Sequence, residues 1–122
     1  MSRERLELGK RGETLALKSL KKLGYKILES NYRCRLGEID VVAREGKSLV
    51  FVEIKTRRGR SLGYAKEAVH PRKQRQISKV ALTYMKQNHC ESAKARFDVV
   101  AISLGSKGPE IEVIKNAFEL AY

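Results

Sequence analysis

Histidine, cysteine, aspartate and proline each occur only twice in these 122 residues, and tryptophan is absent. Cys34 and Cys90 stand far apart, with no Cys-x-x-Cys spacing and no Cys/His cluster. That pattern speaks against a zinc site and for free thiols. His70 and His89 are isolated, so neither a Ser–His–Asp nor a Cys–His catalytic arrangement has support. No stretch approaches the roughly 20 apolar residues of a membrane span. The N-terminal MSRERLELGKRGE lacks the apolar core of a secretion signal. A cytoplasmic protein with no membrane association is expected. Internal repeats and low-complexity tracts are also missing.

Acid is the scarcest commodity relative to its counterpart. Lys and Arg number 26 against 14 Asp and Glu, a formal charge of +12. Such an excess attracts polyanions and does nothing for folding. Nucleic acid is the leading partner, DNA ahead of RNA. An anionic membrane surface comes second, and a ribosome-associated protein would share the composition. With 42% hydrophobic residues the chain should be globular. Its length suits one domain spanning residues 1–122.

The organising stretch is Gly37 to Lys55, GEIDVVAREGKSLVFVEIK. Two runs rich in Val, Ile and Phe flank a polar tip, which predicts a β-hairpin. Gly46-Lys47 fits a type II′ turn, which wants Gly first. The turn fixes a register in which Glu45 faces Ser48, Val42 faces Phe51, and Asp40 faces Glu53. Side chains alternate along a strand. Ile39, Val41, Ala43, Val50, Val52 and Ile54 then form an apolar face for a core. Glu38, Asp40, Val42, Phe51, Glu53 and Lys55 form the other.

Asp40 and Glu53 are thus expected side by side, with Lys55 one step along. Like charges directly opposed destabilise a sheet. A divalent cation would remove the conflict, and Mg²⁺ accepts one or two carboxylates plus waters and phosphate oxygens. Lys55 would sit where a phosphate or an attacking water belongs. The bland alternative is a solvated strand face on which Lys55 neutralises Glu53 or Glu38.

Upstream, residues from about Glu4 to Leu23 read as a helix with Ala16, Leu17, Leu20 and Leu23 on one stripe and Gly24 as its stop. Glu13 projects from that stripe, where it needs a partner or a cation. Otherwise it sits in an exposed first turn and favours the helix dipole. Gly9 and Gly12 imply a late helix start or a close approach to the backbone. Tyr25–Arg33 is a first strand with Ile27 and Leu28 as buried candidates. Arg33 and Arg35 lead from it towards the acidic hairpin.

Thr56 to Pro71 reads as an irregular, mobile loop, with Gly59 and Gly63. From Lys55 to Arg75 there are eight Lys or Arg against one acid, Glu67. Arg57, Arg58, Arg60, Arg72, Lys73 and Arg75 are candidate phosphate contacts, and Tyr64 could stack on a base or be buried. Pro71 suits the first turn of a second helix that runs to about Asn88. Ile77, Val80, Ala81 and Tyr84 make its stripe. Lys73 extends that stripe towards the hairpin, and Gln74 and Gln76 are polar candidates at the same end. Ala95–Leu104 is a strand in which Asp98 pairs with Arg96 as a structural acid. Gly105–Pro109 is a turn and Glu110–Ile114 a last strand. Asn116 caps a short C-terminal helix anchored by Phe118. The result is an α/β fold, a mixed β-sheet flanked by helices in the order αβββαββ plus a short C-terminal α. The second helix allows a parallel crossover to the fourth strand.

Asp40, twelve residues, then Glu53-Ile54-Lys55, on a hairpin after an N-terminal helix, resembles the PD-(D/E)xK nuclease superfamily. That group includes many restriction endonucleases and archaeal Holliday-junction resolvases. The whole chain is similar to the YraN family of small uncharacterised bacterial proteins. GETLALKSLKKLGYKIL, NYRCRLGEIDVVA, LVFVEIKTR, YAKEAVHPRKQRQI and RFDVVAI carry the likeness. The superfamily's proline before the aspartate is Ile39 here.

The resemblance implies a restriction endonuclease-like core and a Mg²⁺ (or Mn²⁺) ion held by Asp40, Glu53 and the backbone carbonyl of Ile54. Glu13 would occupy the place of the helix acid that helps to hold metal in resolvase-like members. Lys55 would orient the water or stabilise the transition state. Lys73 or Gln76 would match a polar residue on the following helix. The reading is a metal-dependent DNA endonuclease, on branched or flap substrates, for which a homodimer would suit symmetric cutting. The alternative is a nucleic-acid-binding or adaptor module that keeps the fold without catalysis.

Overall fold

The computed structural model describes residues 3–58 and 70–119. In chain order these form α1 (Arg3–Lys22), β1 (Lys26–Cys34), β2 (Gly37–Glu45), β3 (Ser48–Arg58), α2 (Pro71–Gln87), β4 (Lys94–Gly105) and β5 (Gly108–Phe118). The strands make one sheet in the order β1-β2-β3-β4-β5. All neighbours are antiparallel except β3 and β4, which run parallel. The connection that contains α2 is therefore the crossover, as the sequence predicts. Among the described residues, no helix is long and apolar enough to cross a membrane.

The hairpin register holds where the turn sets it. Glu45 pairs with Ser48, Val42 with Phe51 and Val41 with Val52. Gly46 has φ +59° and Lys47 does not share that sign, which fits Gly leading a II′ turn.

The expectation of one buried and one active hairpin face needs correction. The sheet is covered on both sides, so both faces are buried at mid-hairpin. Val41, Ala43, Val50 and Val52 pack with Ala16 and Leu20 of α1. Val42 and Phe51 pack with Ile77, Val80, Ala81 and Tyr84 of α2. Ile39 joins this second cluster instead of the first. Two residues from Val41, it should share that residue's face. At the same level of the neighbouring strand, Asn31 of β1 sits at φ +55° between the pairs Ser30↔Val41 and Tyr32↔Ile39, and Tyr32 joins the α2 cluster as well.

Three further expectations are revised. Leu28 is exposed because a β-bulge between Ile27 and Glu29 pushes it out of register. Thr56–Arg58 are not loop: they extend β3 and pair with Ile102, Ser103 and Leu104. The C-terminal helix does not start at Asn116, since β5 runs to Phe118. Asn116 takes φ +54° at an irregularity in the β4–β5 ladder and donates its backbone N–H to Asp98. Phe118 stacks on Phe97 with centroids 4.8 Å apart, extending the aromatic row of Phe51, Tyr84 and Tyr32. Packing and ladder bonds here outweigh a local capping preference.

The helix ends follow local rules. Pro71 opens α2, and His70 caps it by accepting the Arg72 N–H at 3.2 Å. Gly24, at φ +96°, follows the end of α1. Gly12 is where α1 meets β3. A Cβ there would lie 1.9 Å from Thr56 Oγ1, so only glycine allows this approach.

Candidate active site

The recorded ladder between β2 and β3 stops at Val41↔Val52, one step short of the expected Asp40–Glu53 pair. Beyond it Asp40 uses its side chain to bridge the strands. Its Oδ2 accepts the backbone N–H of Ile54 at 2.7 Å. Glu53 lies beneath α2, only 6% exposed. Its Oε1 is 3.2 Å from Lys73 Nζ and 3.9 Å from Lys55 Nζ. Lys73, in the first turn of α2, thus does point back to the hairpin.

The two carboxylates differ in charge environment. Burial and the neighbouring charge of Glu53 push the Asp40 carboxyl up to about 7, opposed by the Ile54 N–H and by Lys73. Asp40 and Glu53 thus bear on one another electrostatically, although the ladder itself does not pair them.

On the α1 side Asp40 lines a cleft of about 670 Å³ together with Gly9, Glu13, Asn31, Glu38, Ile54, Lys55 and Thr56. Glu13 Oε1 accepts from Asn31 Nδ2 at 2.8 Å. Glu13 is therefore in the cleft, tied to β1. Among the described residues, no group of three or more His, Cys, Asp or Glu is arranged to hold a metal. The two acids that bear on one another are Asp40 and Glu53, with the Ile54 N–H on Asp40. Hard oxygen donors of this kind, with room for water and phosphate, suit Mg²⁺ or Mn²⁺. The raised Asp40 is the observation that a cation would explain, because a positive charge would replace its proton.

The basic candidates scatter around this centre. Arg33 is exposed and pairs with Glu38 at 3.2 Å. Arg35 is exposed between β1 and β2, and Arg57 and Arg58 end β3. Arg72 and Arg75 are exposed on the first turns of α2. Arg60, Tyr64, Gly59 and Gly63 lie outside the described residues. Gln76 donates to the Leu36 carbonyl at 3.2 Å, bracing the β1–β2 turn instead of facing the acids.

Asn31 is the site residue that sequence reasoning missed. Its only sequence signal is asparagine's tolerance of positive φ, which does not reveal where such a residue falls.

Residues 12–102 match the family described as Uncharacterised protein family UPF0102. A UPF0102 protein of Geobacter metallireducens is 53% identical over 122 residues, covering 100% of both chains. One from Pelobacter propionicus is 57% identical over 117 residues, 93% of this chain and 84% of its own. One from Caldicellulosiruptor saccharolyticus is 46% identical over 114 residues, 92% of this chain and 97% of its own. The superfamily resemblance is consistent with this family. The chain belongs to UPF0102, the YraN-type group of bacterial proteins.

Proposed function

We propose that the chain is a metal-dependent nuclease that hydrolyses phosphodiester bonds, on DNA before RNA. The carrying observation is the Asp40–Glu53 pair at the divergence of β2 and β3, with Asp40 driven up to about 7 and Lys55 alongside. Mg²⁺ or Mn²⁺ held by Asp40, Glu53 and the Ile54 carbonyl would supply phosphoryl polarisation and hydroxide near neutral pH. Lys55 contributes fixed positive charge at the phosphate. Lys73 holds Glu53 in place. Asp40 must lose its proton before it can ligate, so metal affinity and cleavage rise with pH through about 7. The basic surface holds the backbone in a salt-dependent manner.

The test is metal-dependent cleavage of plasmid, single-stranded, flap and four-way-junction DNA. Asp40→Asn, Glu53→Gln and Lys55→Ala each lower cleavage by about 100-fold or more, with circular dichroism unchanged. Equal cleavage by wild type and all three variants sinks the reading.

One observation favours a second reading. Lys73 and Lys55 together offset the Glu53 charge without any cation. A binding or adaptor module built on the same fold would keep such ion pairs. It predicts salt-sensitive nucleic-acid binding and no cleavage under any metal.

A further inference from the structure

The glycines of α1 divide sharply. Gly12 is buried and needed, because Thr56 occupies the space of a side chain there. Gly9 has no such reason: a Cβ at Gly9 would meet nothing within 4 Å. Glycine inside a helix weakens it, and here nothing within the described fold requires it. Yet Gly9 lines the acidic cleft. The bare stretch of helix is exposed to solvent.

Beside it lies a second cleft. It has a volume of about 410 Å³ and is lined by Glu7, Leu8, Arg11, Arg58, Leu104, Gly105 and Ser106. Leu8 borders both clefts, so the two are separated by one residue of α1. Lys55 lines the first and Arg58 the second. They are three residues apart on β3, about 10 Å along an extended strand. Leu8 and Arg11 are three apart on α1 and so share a helix face. Among the described residues, neither Arg11 nor Arg58 has a carboxylate in salt-bridge range, whereas Glu7 is engaged by Arg3 at 3.4 Å. The second cleft therefore presents two uncommitted guanidinium groups, the side chain best matched to phosphate.

We infer that a nucleic-acid strand crosses α1 over Gly9, and that Arg11 and Arg58 hold a backbone phosphate beyond the acidic centre. This rests on the nuclease reading and adds the path of its substrate. Gly9 keeps the ridge between the clefts low enough for the sugar-phosphate chain to lie against helix backbone. Arg11, unremarked among the many basic residues in the sequence, becomes half of a phosphate clamp whose other half is the last residue of β3.

The test uses the full chain in EDTA, so that cleavage does not intervene, with a labelled single-stranded oligodeoxynucleotide followed by fluorescence anisotropy across a salt series. Gly9→Leu keeps or raises thermal stability, because its side chain enters open space, yet weakens binding about tenfold. Arg11→Ala/Arg58→Ala weakens binding at least tenfold and makes the logarithmic salt dependence shallower by about 0.7, the value for one lost phosphate of a single strand. Lys21→Ala/Lys22→Ala removes the same charge from the far end of α1 and leaves binding within about twofold. Wild-type affinity in Gly9→Leu, or equal losses in both double variants, overturns the path while leaving the nuclease reading standing. No binding by the wild-type chain overturns the nuclease reading and the path with it.

Discussion

The chain has two aspartates, and the fold treats them in opposite ways. Asp98 is fully buried, and every neighbour answers it. Its oxygens accept from Tyr25 Oη at 2.7 Å, from Arg96 Nε and Nη2 at 2.8 and 2.9 Å, and from the Asn116 N–H at 2.9 Å. Arg96 also reaches Glu45 at 2.8 Å, and Lys115 closes the group at 2.8 Å from Glu45. These contacts hold the Arg96 guanidinium well above its ordinary value, and burial with Asp98 raises the Tyr25 phenol. Asp40 is less buried and far less well served. It receives one recorded backbone N–H and faces a second carboxylate. A fully satisfied acid ties β4, β5 and the end of α1 together. A poorly satisfied acid beside a like charge is in a conflict that a cation would relieve. The difference separates architecture from chemistry more clearly than burial alone.

Replacing each aspartate with asparagine should expose this contrast. Asp98→Asn leaves Arg96 and Tyr25 short of a buried anion and costs about 3 kcal/mol, read by urea denaturation. Asp40→Asn has the opposite sign. A raised carboxyl contributes stability that is fully present below its ordinary value near 4 and lost as pH rises through about 7. Asparagine does not titrate and can still accept the Ile54 N–H. The variant should therefore gain on wild type as pH rises, with the gain largest above about 7 and vanishing near pH 4. A flat difference across that range would mean that Asp40 carries no conflict.

Lys73→Ala is a smaller perturbation. It removes a cation that favours ionised Asp40, so the Asp40 carboxyl titrates still higher in carbon-detected NMR. Stability falls by about 1 kcal/mol, because Glu53 loses its nearer partner. The smallest effect belongs to the rim of the satisfied network. Lys115 is half exposed at its pair with Glu45, and Lys115→Ala lowers stability by no more than about 0.5 kcal/mol in urea denaturation. A loss as large as that of Asp98→Asn would show that the rim, and not the buried centre, holds the strands together.

Much of this contrast could be read from the sequence. The Gly46 turn fixed the hairpin pairing from Glu45↔Ser48 to Val41↔Val52, and the Asp98–Arg96 pairing follows from their shared strand face. Pro71 placed the start of α2, and Lys73 lies one turn before the Ile77 stripe. Other features had no local signal. Val42 and Phe51 separate the two acids along the hairpin, and only the packing of α2 shows that they are buried. Ile39 joins the α2 cluster against the alternation set by Val41. A single strand's alternation cannot report that. Asn116 looked like a helix cap, but its left-handed backbone serves an irregularity in β5 and delivers an N–H to Asp98. In each case a residue with a clear local preference was used for a distant partner.

The central claim is that Asp40 and Glu53 form a cation site. Calorimetric titration of Mn²⁺ at pH 8 tests it most directly, on wild type and on Asp40→Asn/Glu53→Gln. The account predicts a saturable binding heat in the wild type and none in the double variant. Equal heats in both proteins, or no heat in either, would contradict it.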